Sequence, residues 1–480
     1  MSPLLIFGVI AGYFILLLVI SWFTSRNTSN ATFFIGNRQS PWYLVAFGMI
    51  GASLSGVTFI SIPGEVGSSS FSYFQLVLGY LVGYFVIYTI LMPMYYRRNL
   101  ISIYTYLDQR FGNASYKTGS LFFLISQTMG ASLRLLLVAG VLQIGFFNAY
   151  GIPFSVTAIV TILLIWIYTF RAGIKTIVWT DTLQTFFMIL AVIISIFIIS
   201  RELNLKAGDI INTIQDHKFS DIFVWDWRPR GFFIKQFLSG AFIAICMTGL
   251  DQNMMQKNLT CPNIRDAQKN MFWFSIILVP VNLLFLSLGV LLYVYANSKG
   301  IEIPQYTDDL FPTLALKHFN LFAGIVFLLG IIAAAFSSAD SALTALTTSF
   351  CMDFLNVGNK DEVTAKKTRL KIHIAFSCIM FLVIMIFHEI NDRSIINTVF
   401  TVAGYTYGPL LGLYSFGLFT KHKVRDRLVP VFAILSPVIS YFISMFSEQI
   451  LWGYKFGFEL LILNGLIMFL FLYLTRKPSH

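Results

Sequence analysis

The sequence predicts an all-α polytopic membrane protein with about thirteen transmembrane helices. Of its 480 residues, 57% are hydrophobic and only 11% are charged, whereas a soluble domain carries about 25% charged residues. Apolar stretches of about 20 residues, the length a helix needs to cross the hydrocarbon core, recur along the whole chain. We therefore expect residues 1–480 to form a single transmembrane domain.

The first apolar stretch is a membrane span in this interpretation. It lacks the basic residues and the small-residue cleavage site of a signal peptide, and its apolar run is too long for one. By the length criterion, we predict spans near residues 3–24, 42–63, 71–96, 118–147, 152–170, 174–200, 233–256, 271–296, 319–350, 368–389, 394–419, 427–446 and 450–475.

Basic residues concentrate in alternate connections between these spans. The set comprises Arg26, Arg38, Arg97, Arg98, Arg110, Lys117, Arg171, Lys175, Lys257, Arg265, Lys269, Lys360, Lys366, Lys367, Arg369, Lys371, Lys421, Lys423, Arg425 and Arg427. Cytoplasmic loops carry such an excess. With an odd number of spans, we expect a multi-pass protein of a bacterial-type inner membrane with its N-terminus outside and its C-terminus in the cytoplasm.

The net charge of +11 does not indicate nucleic acid, because the basic residues are spread along the chain instead of forming one stripe. The four cysteines lack metal-type spacing, so no disulfide framework or zinc site is implied. No histidine lies beside a nucleophile or in a metal motif, and no Walker sequence is present. We therefore expect that the protein is not an enzyme and needs no organic cofactor. We expect it to function as a monomer whose partners are membrane lipid, sodium ions and a small solute.

The second predicted span is rich in small and hydroxyl residues. Ser53, Ser55 and Thr58 lie among glycines, and Pro63-Gly64 is expected to end the span. A break here frees backbone carbonyls to bind a cation, as in transporters with discontinuous helices. The alternative is a small-residue packing face between helices, which explains the glycines as well but explains the three hydroxyls less well.

The ninth predicted span carries a polar stripe with helical spacing. The stripe consists of Ser337, Asp340, Ser341, Thr344 and Thr348. An acid within a membrane span is costly, at ~2.5–3.5 kcal/mol on insertion scales. A second acid, Asp181, lies in the sixth span. Together they predict a cation site, unless each acid pairs with Arg134 or a helix end.

Arg134 is the only basic residue that we place well inside an apolar span. Its planar guanidinium binds carboxylate through two parallel hydrogen bonds. Physical reasoning alone leaves two interpretations open: Arg134 binds an anionic substrate, or it forms a structural pair with an acid.

Several motifs resemble landmarks of the sodium/solute symporter family, in the same order along the chain. They are Phe33-Phe34-Ile35-Gly36-Asn37-Arg38-Gln39-Ser40-Pro41-Trp42, Val178-Trp179-Thr180-Asp181, Asp251-Gln252-Asn253-Met254-Met255-Gln256, Ser337-Ser338 and Gly404-Tyr405-Thr406-Tyr407-Gly408-Pro409. The resemblance implies a LeuT-type fold with two inverted five-helix repeats at 42–200 and 233–419. Extra helices are expected at 3–24 and 427–475.

The resemblance also implies sodium sites. A first site would use the carbonyls of Gly51, Leu54 and Ala334 and the hydroxyls of Ser337 and Ser338. A second sodium, present in some members, would map to Asp181, Ser337, Asp340 and Ser341. Asp340 stands where those members have a hydroxyl, so a proton carried by Asp340 is the alternative to a second sodium.

The resemblance extends to the substrate. Family members that transport sialic acid use residues similar to Ser53, Ser55, Thr58, Phe71, Gln75 and Arg134 here. The stretch 244–247 is apolar where galactose-transporting members are polar, which argues against a simple hexose. The expected function is sodium-coupled import of a carboxylate-bearing sugar such as sialic acid by alternating access. Alternatives are a neutral sugar or polyol, an amino acid or a monocarboxylate as solute and, more distantly, a channel or membrane sensor.

Overall fold

The computed structural model describes residues 3–24, 36–169, 173–390 and 395–477. Phe33, Phe34 and Ile35 of the first motif, together with Arg26 and Arg171, lie outside the described residues. Among the residues described, no β-strand forms, and the chain is helical apart from its connections.

The helices are α1 Pro3–Thr24, α2 Trp42–Ser53, α3 Gly56–Ser69, α4 Tyr73–Val86, α5 Met92–Arg97, α6 Thr105–Arg110, α7 Asn113–Gly145, α8 Phe154–Thr169, α9 Ile174–Glu202, α10 Ala207–Gln215, α11 Phe233–Ala244, α12 Gln252–Asn258, α13 Ile264–Ser298, α14 Leu310–Thr313, α15 Leu321–Ser349, α16 Glu362–Ile390, α17 Ile395–Phe419, α18 Val429–Ile450 and α19 Leu460–Leu474. Single π-helical turns at Ile87–Leu91 and Ile245–Gly249 extend α4 and α11.

The predicted all-α membrane fold is confirmed. In the described part of the chain, eight helices are long and apolar enough to cross a membrane, or nine if one bent pair counts as a single span. Three further apolar helices are shorter, at Trp42–Ser53, Phe154–Ile167 and Leu460–Leu474. A helix lies on each of the thirteen predicted segments, but the number that crosses the membrane stays a prediction.

The second predicted span is broken, between α2 and α3. Leu54 leaves the helical conformation at the end of α2, and Ser55 has φ 1° and ψ 175°. The last carbonyls of a helix have no partner within that helix, so the break exposes the carbonyls at the end of α2. The hydroxyl and glycine content of this segment lowers the cost of such a break.

The expected end of this span at Pro63-Gly64 was wrong, because α3 continues to Ser69. Proline removes one hydrogen bond from a helix, but tertiary contacts hold the last turns in place. A side chain on Gly64 would lie 2.1 Å from the backbone oxygen of Thr307. The glycine therefore permits a close approach of the connection before α14.

The seventh predicted span, 233–256, is also broken. Helix α11 and its π turn end at Gly249, and α12 leaves at an angle of 68°. Asp251 caps the new helix, because its Oδ1 accepts a hydrogen bond from the backbone N–H of Met254 at 3.0 Å. Aspartate is a preferred residue at this position.

Helix α15 lies at the centre of the molecule. Every residue from Gly330 to Ser349 is buried, and α2, α3, α9 and α12 all pack against this helix. Helices α2 and α9 approach closely at Gly51, where a Cβ would lie 2.1 Å from Thr185 Oγ1. The polar stripe of the ninth span therefore faces protein, and both breaks lie beside it.

Candidate functional site

A central cavity of about 90 Å³ lies between the two broken spans. This volume exceeds the ~10–15 Å³ that a cavity needs to hold one water molecule, but it is small for an organic solute. Its polar lining consists of Ser53, Ser55, Thr58, Tyr73, Tyr80, Tyr84, Gln127, Arg134, Thr248, Asp251, Asn253, Asn282 and Tyr407. Three of the predicted substrate residues, Ser53, Ser55 and Thr58, come from the break between α2 and α3.

Arg134 projects from α7 into this cavity. Among the described residues, its guanidinium forms no hydrogen bond and has no carboxylate within 4 Å. The structural pairing of Arg134 with Asp181 or Asp340 is therefore absent. The acid that shares the cavity with Arg134 is Asp251.

Asp251 is held by two other groups. Its Oδ2 accepts a short hydrogen bond from the hydroxyl of Tyr407 on α17, while Oδ1 caps α12. Both side chains are buried. The guanidinium of Arg134, which has five N–H donors, therefore lines a cavity whose other polar residues, apart from Asp251, carry hydroxyl and amide groups.

Phe71 and Gln75 do not line the central cavity in this conformation. The side chain of Gln75 bonds the backbone of the connection before α11: Nε2 donates to Gly231 O at 3.0 Å, and Oε1 accepts from Val224 N at 3.2 Å. The backbone N–H of Phe71 donates to Asp221 O at 3.1 Å. Tyr73, Tyr80 and Tyr84 of the same segment line the cavity instead.

A larger vestibule of about 780 Å³ lies on one side of this cavity. Glu65 at its edge accepts hydrogen bonds from Asn397 Nδ2 at 3.3 Å and from Thr307 Oγ1 at 3.5 Å. Phe400 lines both the vestibule and the central cavity, and its ring packs against Phe458 with a centroid distance of 4.9 Å. An aromatic side chain of α17 therefore separates the two spaces.

The residues expected for a first sodium lie on α2, its break and α15. Gly51 and Leu54 belong to the end of α2, where the last carbonyls of a helix lack intrahelical partners, and α2 and α3 pack on α15. The hydroxyl of Ser338 donates to Ala334 O at 3.4 Å, which leaves its oxygen lone pairs available. Carbonyl and hydroxyl oxygens are ligands that a hard cation prefers, so this donor set fits sodium.

The structure brings Asp181 against the stripe of α15. Oδ1 of Asp181 accepts a hydrogen bond from Ser337 Oγ at 2.8 Å, and Oδ2 lies 3.4 Å from Ser341 Oγ. Ser341 also contacts Asp340, whose Oδ1 lies 3.1 Å from the same hydroxyl. The four residues expected for a second sodium are therefore neighbours.

A lysine side chain lies beside these four residues. Lys257 Nζ lies 2.6 Å from Asp181 Oδ2, and each side chain is only 1% exposed. The prediction that Lys257 belongs to a cytoplasmic loop was wrong, because its side chain is buried. The bend of the seventh span turns α12 back into the protein, so Lys257 enters the interior just beyond the predicted end of that span.

Sequence reasoning did not single out Lys257, Asp251 or Tyr407 as candidate site residues, although Asp251 and Tyr407 lie in motifs named above. One signal for the bend was present. Asp251, two residues after Gly249, stands at the end of an apolar run in a position suited to cap a new helix. The contacts of Tyr407 depend on tertiary structure and left no pattern in the sequence.

The chain is similar in sequence to known sodium-coupled transporters. Residues 33–426 match the family model described as "Sodium:solute symporter family". The chain is 23% identical to the sodium/sialic acid symporter NanT of Aliivibrio fischeri, over 87% of this chain and 83% of that protein. It is also 23% identical to the sodium/sialic acid symporter SiaT of Proteus mirabilis, over 90% and 88%.

The fold resembles that of a solved Na⁺-coupled sialic acid symporter in a substrate-bound outward-open state. The TM-score is 0.83, with 18% sequence identity over 99% of both chains. The predicted LeuT-type fold is thereby confirmed.

Proposed function

Because this chain belongs to the Sodium:solute symporter family, an integral membrane family in which sodium is the coupling ion, we propose that its solute is a carboxylate-bearing sugar, with sialic acid as the first candidate. The relatives named above are transporters. The remaining question is which groups of this chain select the solute and the ions.

The observation that carries the proposal is the unpaired guanidinium of Arg134 in the central cavity. A cation within a membrane-spanning segment is costly without a partner, and this one, which is half-buried, has no carboxylate within 4 Å among the described residues. A solute carboxylate would supply that partner through two parallel hydrogen bonds. Arg134 therefore selects for an anion.

The rest of the lining suits a polyhydroxylic solute. Ser53, Ser55 and Thr58 offer hydroxyls from the broken second span, and Asn253 and Asn282 offer amides. Tyrosines of α4 provide apolar ring surface with a polar end. NanT and SiaT, both named as sodium/sialic acid symporters, support sialic acid over other anionic sugars.

The cavity must enlarge to admit such a solute, because ligand sites usually enclose ≈ 300–1,000 Å³. Phe400 lies between the cavity and the vestibule, so its displacement would open a path from that side. Phe71 and Gln75 stay candidates for substrate contact. In this proposal they meet the solute only after Gln75 exchanges its bonds to the loop for bonds to the substrate.

We further propose that the two repeats span 42–200 and 233–419, with extra helices at 3–24 and 427–475. The support is that each repeat would begin with a broken helix, at Ser53–Gly56 and at Gly249–Gln252. Alternating access would rock one repeat against the other around the central cavity. We place the N-terminus outside and the C-terminus in the cytoplasm of a bacterial-type inner membrane, on the distribution of basic residues.

The test is binding of sialic acid and of its uncharged analogue, with the carboxylate reduced to an alcohol, to purified protein in sodium. We expect the analogue to bind about 2–5 kcal/mol more weakly, because it leaves Arg134 without a partner. Arg134→Ala should lose the discrimination, and Arg134→Lys should recover little of it, since an ammonium lacks the planar fork. Arg98→Ala is the matched control, because Arg98 is exposed and bonds Gln109.

Equal binding of the two compounds by the wild type would overturn the role of Arg134 and the sialic acid assignment together. The same measurement should include a neutral hexose, an amino acid and a small monocarboxylate. Sodium-dependent stabilisation by one of these, and not by sialic acid, would replace the solute in this proposal.

A further inference from the structure

A buried ion pair joins the bent half of the seventh span to the sixth span. Lys257 of α12 and Asp181 of α9 contact each other at 2.6 Å with almost no exposure to solvent. The ammonium has no hydrogen bond to any other described residue. Lysine is almost never fully buried unless it is paired, so Asp181 is the group that keeps Lys257 in the interior.

The position of this ammonium conflicts with a second sodium. Both carboxylate oxygens of Asp181 are already engaged, since Oδ2 contacts Lys257 and Oδ1 accepts the hydrogen bond from Ser337. An ammonium has three donors and no lone pair, so Lys257 cannot be a ligand of a metal ion. A sodium beside it would face a like charge at close range in a medium of low dielectric constant.

We propose that Lys257 is a tethered cation that takes the place of the second sodium, so that this transporter binds one sodium ion per chain. The inference rests on the proposed sodium-coupled symport and defines its stoichiometry. The first site, at the α2 break and Ser338, holds the transported ion. The second holds a charge that never leaves the protein.

The surroundings of Lys257 fit a permanent role. Its backbone carbonyl accepts a hydrogen bond from Thr260 Oγ1 at 2.7 Å, and the next residue, Asn258, bonds Asn270 at 2.6 Å. On the other side, Gln256 Nε2 donates to Thr348 Oγ1 of α15 at 3.3 Å. The helix that carries the ammonium is therefore fixed to α13 and α15 by buried polar contacts.

The number of transported sodium ions determines whether uptake depends on the membrane potential. A transported sodium gains about 2.3 kcal/mol from each 100 mV of membrane potential, and a monoanionic solute moving with it loses the same amount. One sodium with one monoanion is therefore electroneutral, and only the chemical gradient of sodium drives uptake. A second transported sodium would make uptake depend on the membrane potential.

The experiment is a count of sodium ions bound at saturation, with ²²Na⁺ and purified full-length protein in the absence of solute. We expect one ion per chain for the wild type and two for Lys257→Gln, which frees the carboxylate of Asp181. The double variant D181N/K257Q removes both charges and should return the count to one. Lys235→Gln is the matched control, since Lys235 is a buried lysine that bonds three backbone carbonyls; its count should stay at one.

Two ions in the wild type, or equal counts in the wild type and Lys257→Gln, would overturn the proposal. If Lys257→Gln does not fold, the sodium counts of the wild type and of the double variant still test the proposal. Two bound sodium ions in either protein would contradict a tethered cation at Asp181. No solute is present, so a failure here leaves the sialic acid assignment intact. A wild type that binds no sodium would overturn the coupling ion as well.

Discussion

Tyr407 of α17 donates its hydroxyl hydrogen to the carboxylate of Asp251, at the bend of the seventh span. Asp251 shares the central cavity with Arg134, yet the two do not form an ion pair. The hydrogen bonds from Tyr407 and from the start of α12 hold the carboxylate in its present position. The guanidinium consequently remains available to a solute.

Tyr407→Phe should weaken substrate binding, although Tyr407 is not the proposed anion clamp. Loss of a hydrogen bond to a charged group costs about 1.5–3 kcal/mol, and Asp251 then gains by turning towards Arg134. A solute carboxylate must compete with that new ion pair. Calorimetric titration of the purified variant with sialic acid measures the loss.

The double variant Tyr407→Phe, Asp251→Asn separates this explanation from simple loss of packing. Without the charge on Asp251 there is no competitor for Arg134, so the double variant should bind substrate more tightly than Tyr407→Phe alone. If the two variants bind equally weakly, competition by Asp251 is not the cause.

Ser338→Ala should raise the sodium concentration needed for half-maximal uptake, because it removes one proposed ligand of the transported ion. The protein should remain folded, since Ser338 bonds only the carbonyl of its own helix among the described residues. Ser436→Ala is the matched control, because Ser436 of α18 is fully buried and lies outside the cavity lining. Unchanged sodium activation in Ser338→Ala would exclude this residue from the ion site.

The sequence was sufficient for the class of fold and for part of the site. Spacing alone put Ser337 and Ser341 on one helical face, and the structure brings Asp181 to that face. Helical periodicity is local, so it can be read from residues that are near in sequence.

The rest depended on contacts between distant segments. Lys257 stands at the edge of an apolar run, where a basic residue ordinarily marks a cytoplasmic loop, and only the 68° bend of the span carries it inside. Gln75 lies where the resemblance predicted substrate contact, but the loop before α11 takes up its hydrogen bonds. No pattern within either segment records these partners.

The stability of the protein should depend on pH through Asp308, in the connection between α13 and α15. Its Oδ2 accepts the backbone N–H of Ile395 at 3.0 Å, and burial raises the pKa of Asp308 to about 6. A raised pKa means that the protonated carboxyl favours the folded state. This contribution is fully present below about pH 4 and is lost as the pH rises through about 6, at most about 3 kcal/mol.

Asp308→Asn should flatten the change in melting temperature between pH 4 and 6, because asparagine keeps the acceptor for Ile395 but does not titrate. Asp361→Asn is the control. Asp361 is exposed and its pKa is lowered by the hydrogen bond from the backbone of Thr364, so its titration lies below this window. If the melting temperature of Asp308→Asn changes with pH as much as that of the wild type, Asp308 is not the titrating group.

The orientation in the membrane is testable at the C-terminus. Two connections that we predict to be cytoplasmic meet in the structure, since Arg110 Nη2 donates to Thr420 O at 2.7 Å and Asp426 accepts from Ser115 N at 2.8 Å. The predicted external segments around Asp308 meet elsewhere, at the vestibule. The predicted cytoplasmic connections and the predicted external connections therefore gather at two different places, as they must if alternate loops lie on opposite sides of a membrane.

A fluorescent reporter that matures only in the cytoplasm, fused after His480, should therefore be active. The complementary fusion is a phosphatase that is active only outside, inserted after Asp216 in the long connection between α9 and α11. Both fusions should be active, because an odd number of predicted spans, seven, separates the connection that contains Asp216 from the C-terminus. A well-expressed protein with a dark C-terminal reporter and an inactive loop phosphatase would reverse the orientation. It would also assign the vestibule at Phe400 to the cytoplasmic side.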